Sequence, residues 1–398
     1  MNKILVTGMG IISAIGVGKA ATVQSLLDGK SGIGSIKYLK TKHIELPVGE
    51  VQCDDEELKA IAGYTSSKPI TRTSLLGRVA LKEALEEANI NLCRPRKLAF
   101  ISGTTVGGME KSELYYHDFL NNDAHNEYIA MHDCGACTDM IGKQYEGKFD
   151  IVTTISTACS SAANAAILGA NLIKAGYVDA AIVGGTECLS KFHLNGFNTL
   201  MILDKEECKP FDKNRQGLNL GEGAAYLVIE SEESVQRRNV KPLCELSGYG
   251  NACDAFHQTA SSATGEGACK AMAKALEMSG LNSGDIDYIN AHGTGTGNND
   301  ESEGAAIMRI FGDKIPPVSS TKSFTGHTTS AAGGVESVIS VLAMINDFIP
   351  NNLNFSEKID SLSFSPVKEC IRNVKLSHVM TNSFGFGGND SSCILSKL

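Results

Sequence analysis

The chain weakly repeats itself, and this constrains its fold more than any other feature. ILVTGMG (4–10) resembles LCELSGYG (243–250), so that Gly8 and Gly10 match Gly248 and Gly250. ALEEANIN (84–91) resembles ALEMSGLN (275–282), and each copy precedes an apolar strand ending in Gly-Thr, LAFISGT (98–104) and IDYINAHGT (286–294). Farther on, each half carries a helix of small residues, SSAANAAILGANLIKAG (160–176) and TSAAGGVESVISVLAMIND (329–347). Gly176 sits where a C-terminal glycine cap belongs. The distance between matches shrinks from 240 to about 190 and then about 170 residues, whereas a solenoid would hold its period. Two related α/β halves fit instead, the first with extra loops. ILVTG, VDAAIVGG (178–185) and AYLVIE (225–230) are apolar on both faces, as buried central strands are. The small-residue helices are apolar nearly all round, which suits burial between two sheets. The expectation is an α/β chain with a duplicated α/β/α/β/α layered fold, its halves being residues 1–238 and 239–398. The charged stretch ESEESVQRRNVKP (230–242) is the expected seam.

Composition narrows the function classes. With 42% hydrophobic and 20% charged residues over 398 positions, the chain is not disordered, collagenous or coiled-coil. Lys and Arg total 36 against 45 Asp and Glu, a net charge of −9, so nothing draws the whole chain to nucleic acid or anionic lipid. The 12 cysteines are scattered, and Cys134-Gly-Ala-Cys137 is the only CxxC, with no second pair to complete a zinc site. Most of them read as small buried hydrophobes in a reducing compartment, with no metal. The apolar start carries glycines at 8, 10 and 16, which fits a strand and turn better than a signal peptide. The best apolar run, 162–173, is broken by Asn164 and Asn171. A cytoplasmic protein with no membrane or nucleic-acid role is expected.

Four loops rich in Gly, Ser and Thr carry the candidate chemistry. STACSS (156–161) places Cys159 just before a small-residue helix, where N–H groups and the helix dipole favour a thiolate. INAHGTGTGNNDESE (289–303) puts His292 at a strand end, and SSTKSFTGHTTSAAGG (319–334) puts Lys322 and His327 before the second such helix. TNSFGFGGND (381–390) is a glycine-rich turn bearing Phe384 and Phe386. Four such loops at strand ends, two of them repeat-related, point to one pocket between the halves.

STACSS, NAHGTxT…DxxE, SSTKSxTGH and NSFGFGG, in this order, resemble the β-ketoacyl-[acyl-carrier-protein] synthases of the thiolase-like fold, closest to the elongating, type II-like enzymes. The likeness runs the whole chain, through VTGMGIIS, GGTE (184–187), KPFDKNRQGLNLGEGA (209–224) and DAFHQTAS (254–261). It implies an acyltransferase that performs a decarboxylative Claisen condensation. Cys159 would take an acyl group from a carrier-protein thioester. The enolate left when malonyl-carrier protein loses CO₂ would then attack that acyl-enzyme. By the same resemblance His292 and His327 would donate hydrogen bonds to the enolate oxygen, and the N–H groups of Cys159 and Phe386 would form the oxyanion hole. Lys322 would act electrostatically, linked to Glu303, while Asp300 would hold the loop. Thr294, Thr296 and Thr259 match pantetheine-binding positions; Phe386 matches the acyl gate, with Phe384 beside it in the same loop; Val106 and Phe197 match pocket-lining positions. No cofactor is implied, because the substrates ride on the phosphopantetheine of acyl carrier protein.

The chain departs from the family pattern around the pocket. Gly295-Thr296-Gly297 stands where Ser-Thr-Pro is usual, Thr328, Thr329 and Ser330 replace two apolar residues and Gly, and Asn389-Asp390 replaces Thr-Asn. Stretch 109–150 is short. Acyl selectivity is therefore open, and an accessory aryl-polyene or polyketide synthase stands beside fatty-acid elongation. A homodimer is the family expectation, with a heterodimer the alternative. An acidic carrier needs a local basic patch on this acidic chain; Lys68, Arg72, Lys205, Lys209, Lys213 and Arg215 are the candidates. Two rivals differ in kind. A non-catalytic chain-length-factor subunit would lack the Cys-His-His set. A degradative thiolase would need a second Cys where Phe384, Gly385 and Phe386 stand, and Cys393 lies inside the last strand.

Overall fold

The computed structural model describes residues 3–90, 95–145 and 147–398; Cys93 and the last residue of the first ALEEANIN copy lie outside them. The strands that carry the architecture are β1 (Ile4–Ser13), β2 (Leu98–Gly103), β3 (Ile151–Ile155), β4 (Ala180–Glu187), β5 (Gly223–Ser231), β6 (Cys244–Cys253), β7 (Tyr288–Asn290), β8 (Val318–Ser319), β9 (His378–Gly385) and β10 (Asn389–Ser396). The principal helices are α1 (Arg72–Glu87), α2 (Cys134–Lys143), α3 (Ser161–Lys174), α4 (Glu266–Ser279), α5 (Gly297–Phe311) and α6 (Ala332–Ile345).

These strands hydrogen-bond in the order β3-β2-β4-β5-β1-β6-β10-β9-β7-β8. Read outward from the middle, the two sides are the same sheet twice. β1 runs antiparallel to β5 and β5 to β4, while β4, β2 and β3 are parallel. β6, β10, β9, β7 and β8 repeat that pattern of directions. The halves meet where Leu5 pairs with Glu245 and Val6 with Cys244.

α1 lies on β1, β4 and β5, and α4 lies on β6 and β10. α3 and α6 pack on each other and reach strands of both halves, forming the inner layer. The matched glycines explain the outer packing. A Cβ on Gly8 or Gly10 would stand 2.5 or 2.0 Å from the carbonyls of Ala84 and Ala80 of α1. On Gly248 or Gly250 it would stand 2.2 Å from those of Ala275 and Ala271 of α4. Both halves thus use glycine to let a helix backbone touch the sheet. α3 ends as its sequence predicts: Gly176 is left-handed at φ 74, and the N–H of Tyr177 returns to the carbonyl of Leu172.

One expectation needs adjustment. β7 is three residues long, shorter than 286–294, because Gly293 and Gly295 take positive φ and swing His292–Thr296 out of the sheet. The expected seam, 230–242, closes β5 and forms the helix Glu232–Arg238, where Arg238 pairs with Glu230 inside the protein. Every described cysteine is free, and no helix among the described residues is long and apolar enough to cross a membrane.

Candidate active site

Duplication puts equivalent loops on one side of the seam. Beyond β3 the chain turns through Ala158, held at φ 51, which is uncommon for a residue with a Cβ. This turn presents Cys159 two residues before α3 begins. The corresponding path beyond β8 presents Lys322 and His327 ahead of α6, and the loop beyond β7 presents His292. His327 Nε2 stands 3.1 Å from the Cys159 sulfur, and the two imidazoles meet edge to face with ring centres 5.3 Å apart. Sγ and one ring nitrogen of each histidine all lie within 4.8 Å of one another. Among the described residues no other cluster could hold a metal ion, and the Lys322 ammonium beside His292 opposes a second cation there.

Lys322 is buried and orders this group. Its ammonium donates to the His292 carbonyl at 2.6 Å, faces His292 Nδ1 at 3.2 Å, and pairs with Glu336. A lysine can only donate, so Nδ1 of His292 accepts and the ring proton is left on Nε2. Burial holds both histidines well below their ordinary range, and the Lys322 charge pushes the same way. Both rings are therefore neutral near pH 7. Burial also pushes the Cys159 thiol up to about 11, against the pull of Lys322 and the N–H groups of Phe386 and Cys159. Desolvation outweighs those pulls, so the thiol lies above its ordinary range.

The pocket above the sulfur encloses about 130 Å³. Phe384, Phe386, Phe197, Thr259, Thr294 and Thr296 all line it, with Cys159 and both histidines. Phe197 and Phe386 stack with centroids 5.6 Å apart. Thr294 and Thr296 hydrogen-bond through their hydroxyls at 2.9 Å, and Thr296 also caps α5. Asp300 accepts from the N–H of Gly295 at 3.2 Å and that of Phe211 at 2.7 Å, tying the glycine loop down.

Several sequence assignments change. Glu303 does not meet Lys322: its oxygens accept the N–H groups of His292 and Gly293, and burial pushes it up to about 7. The partner of Lys322 is Glu336, which sequence reasoning missed, although it is the one ionisable residue in the apolar helix α6. Val106 is not among the residues that line this cavity of about 130 Å³. It is buried beyond β2, where its N–H and the hydroxyls of Thr104 and Thr105 converge on Glu187. Arg72 is no docking residue, being buried in a pair with Glu222 and bonded to Asp55. Arg215 is likewise covered, against Asp300 and Glu301. Lys209 and Lys213 pair with nearby carboxylates, and Lys68 and Lys205 are exposed. Asn389, one of the off-pattern residues, is a hub: its carbonyl oxygen accepts from Ser160, Asn164 and Asn251, joining the Cys159 helix to the other half.

A duplicated mixed sheet with inner helices and a Cys-His-His pocket at its seam defines a thiolase-like condensing-enzyme architecture. The sequence matches "Beta-ketoacyl synthase, N-terminal domain" over residues 1–234 and "Beta-ketoacyl synthase, C-terminal domain" over 243–356. The chain belongs to the beta-ketoacyl synthase family. It is 32% identical to 3-oxoacyl-[acyl-carrier-protein] synthase 2 of Coxiella burnetii, covering 100% of this chain and 99% of that one. It is also 32% identical to a putative mitochondrial 3-oxoacyl-[acyl-carrier-protein] synthase of Schizosaccharomyces pombe, with the same coverage. Among solved structures, the ishigamide ketosynthase/chain length factor superposes with TM-score 0.91 at 28% identity, covering 100% of this chain and 99% of that one. A ketosynthase in complex with its chain length factor from Xenorhabdus doucetiae gives 0.85 at 29%, covering 100% and 98%.

Proposed function

We propose that the protein is a 3-oxoacyl-[acyl-carrier-protein] synthase that loads an acyl group on Cys159 and extends it by decarboxylative condensation with malonyl-carrier protein. The observation that carries this reading is the 3.1 Å contact between His327 Nε2 and the Cys159 sulfur inside a pocket that also holds a neutral His292. In the first step the Cys159 thiol gives its proton to His327 as sulfur attacks the acyl thioester. The N–H groups of Cys159 and Phe386 stabilise the tetrahedral oxyanion, and the proton leaves with the carrier thiol. In the second, malonyl thioester loses CO₂. The enolate oxygen that forms receives a hydrogen bond from His292, through the Nε2 proton that Lys322 leaves there. The enolate carbon then attacks the acyl-Cys159 carbonyl, the C–S bond breaks, and the departing thiolate takes a proton from solvent. This differential stabilisation of developing charge needs neutral rings, the state that burial produces.

Acyl carrier protein is the proposed partner, its pantetheine arm lying past Thr294 and Thr296. Lys68 and Lys205 are the exposed candidates that make no ion pair among the described residues. A dimer in the cytoplasm completes the reading. Thr328, Thr329 and Ser330, where the family usually has apolar residues and Gly, support acyl selectivity altered from housekeeping elongation, as in an accessory pathway; Ser330 binds Glu187. The test is intact-protein mass spectrometry with carrier protein bearing short, long and unsaturated chains, followed by malonyl-carrier protein. Acyl mass on wild type but not on Cys159→Ala, discharged as β-ketoacyl-carrier protein, is expected. Absence of acylation from every donor would overturn the reading in favour of a non-catalytic partner subunit.

A further inference from the structure

Two buried arginines on α1 are treated very differently. Arg72 follows the usual rule for an enclosed guanidinium, with Glu222 and Asp55 as counter-charges. Arg78 lies under two turns later and is only 6% exposed, yet no carboxylate stands within ion-pair distance of it among the described residues. Its Nε is buried without a hydrogen-bond partner. The ring of Tyr64 lies 4.6 Å from the guanidinium carbon, and no contact among the described residues gives the head a charged partner. Burial lowers its proton affinity, which is the signature of a cation lacking a counter-charge.

The guanidinium is not sealed in. It forms part of the wall of a groove of about 740 Å³ between the 63–69 loop and α2. Lys68 and Lys143 are exposed on that groove, with the hydroxyls of Thr65 and Ser66; a single acid, Asp139, is also exposed there. Ala130, Met131, Ala136 and Met140 supply an apolar side. The geometry points to a binding site, separate from the Cys159 pocket, for a small molecule that presents an oxyanion head to Arg78 and lays an aliphatic portion along the methionines. A carboxylate or phosphate fits the planar fork of the guanidinium and supplies the charge that the fold leaves out.

Sodium octanoate and inorganic phosphate are the probes, with octylamine as the cationic control, each titrated into wild type, Arg78→Met and Lys143→Met by calorimetry. Saturable octanoate binding is expected in wild type, at least about tenfold weaker in Arg78→Met and a fewfold weaker in Lys143→Met, with octylamine inert at the site. Phosphate binding with the same losses would support the site with the head alone recognised. Octanoate entering the Cys159 pocket would be indifferent to both substitutions. Affinities equal across the three proteins, or no saturable binding of either anion to wild type, overturn the inference. Lys143 is exposed, so its variant decides the matter if Arg78→Met does not fold.

Discussion

The loop after β3 delivers one group, Cys159, in a turn strained at Ala158, whereas its counterpart after β8 delivers Lys322 and His327, and the loop after β7 adds His292. The scaffold positions correspond strand for strand, but the chemistry has separated: the first half holds the proposed nucleophile and the second holds every imidazole and cation that acts on it. Duplication therefore supplies two copies of a place to put a functional group, and sequence divergence decides which group stands there. The site exists only at the seam, since a half by itself has either a sulfur without a base or bases without a sulfur.

The largest test separates those contributions. Cys159→Ala should abolish acyl-enzyme and lower condensation by at least about 10³-fold while leaving some malonyl decarboxylation, because enolate stabilisation does not need the sulfur. His292→Ala should do the reverse, keeping acylation measurable by mass spectrometry and lowering CO₂ release by about 10²–10³-fold. Equal loss of both half-reactions in both variants would break the division of labour.

The packing symmetry makes a paired prediction. Gly8→Ala and Gly248→Ala each drive a methyl into a helix carbonyl, so each should cost about 2–3 kcal/mol in denaturant melts. A large cost in one half only would show that the matched glycines are not equivalent. Asn389→Ala removes the acceptor shared by Ser160, Asn164 and Asn251 across the seam and should cost about 1–3 kcal/mol. Acylation of Cys159 should slow alongside it.

The smallest effect concerns pH. Unfolded histidines bind protons below 6.5 and the buried His292 and His327 do not, so they make stability rise with pH below that value. Glu303 and Glu336, pushed up to about 7 from 4.5, hold protons in the folded state that the unfolded chain has lost, so they make stability fall as pH rises from 4.5 to 7. Between 4.5 and 6.5 the two pairs oppose one another. The double variant His292→Asn/His327→Asn should expose the carboxyl contribution, stability then falling by about 1.4 kcal/mol per pH unit for each glutamate. A pH profile unchanged by the double substitution would show that the histidines are not held neutral.

Much of the architecture was legible because it is local. Gly8, Gly10, Gly248 and Gly250 mark close backbone approach wherever they occur, Gly176 marks a left-handed helix end, and four Gly/Ser/Thr loops mark strand ends around a pocket. The sequence by itself determined the duplication, the identity of the Cys-His-His set and the loops that carry it. Only the tertiary structure decided that Lys322 pairs with Glu336 and not Glu303, that Arg72 is enclosed while Arg78 is left without a counter-charge among the described residues, and that burial pushes the Cys159 thiol up. The physical reason is that a turn or a cap depends on a few neighbouring residues. An ion pair or a proton affinity depends instead on which surfaces meet and how much water they expel, and here those surfaces come from opposite halves of the chain.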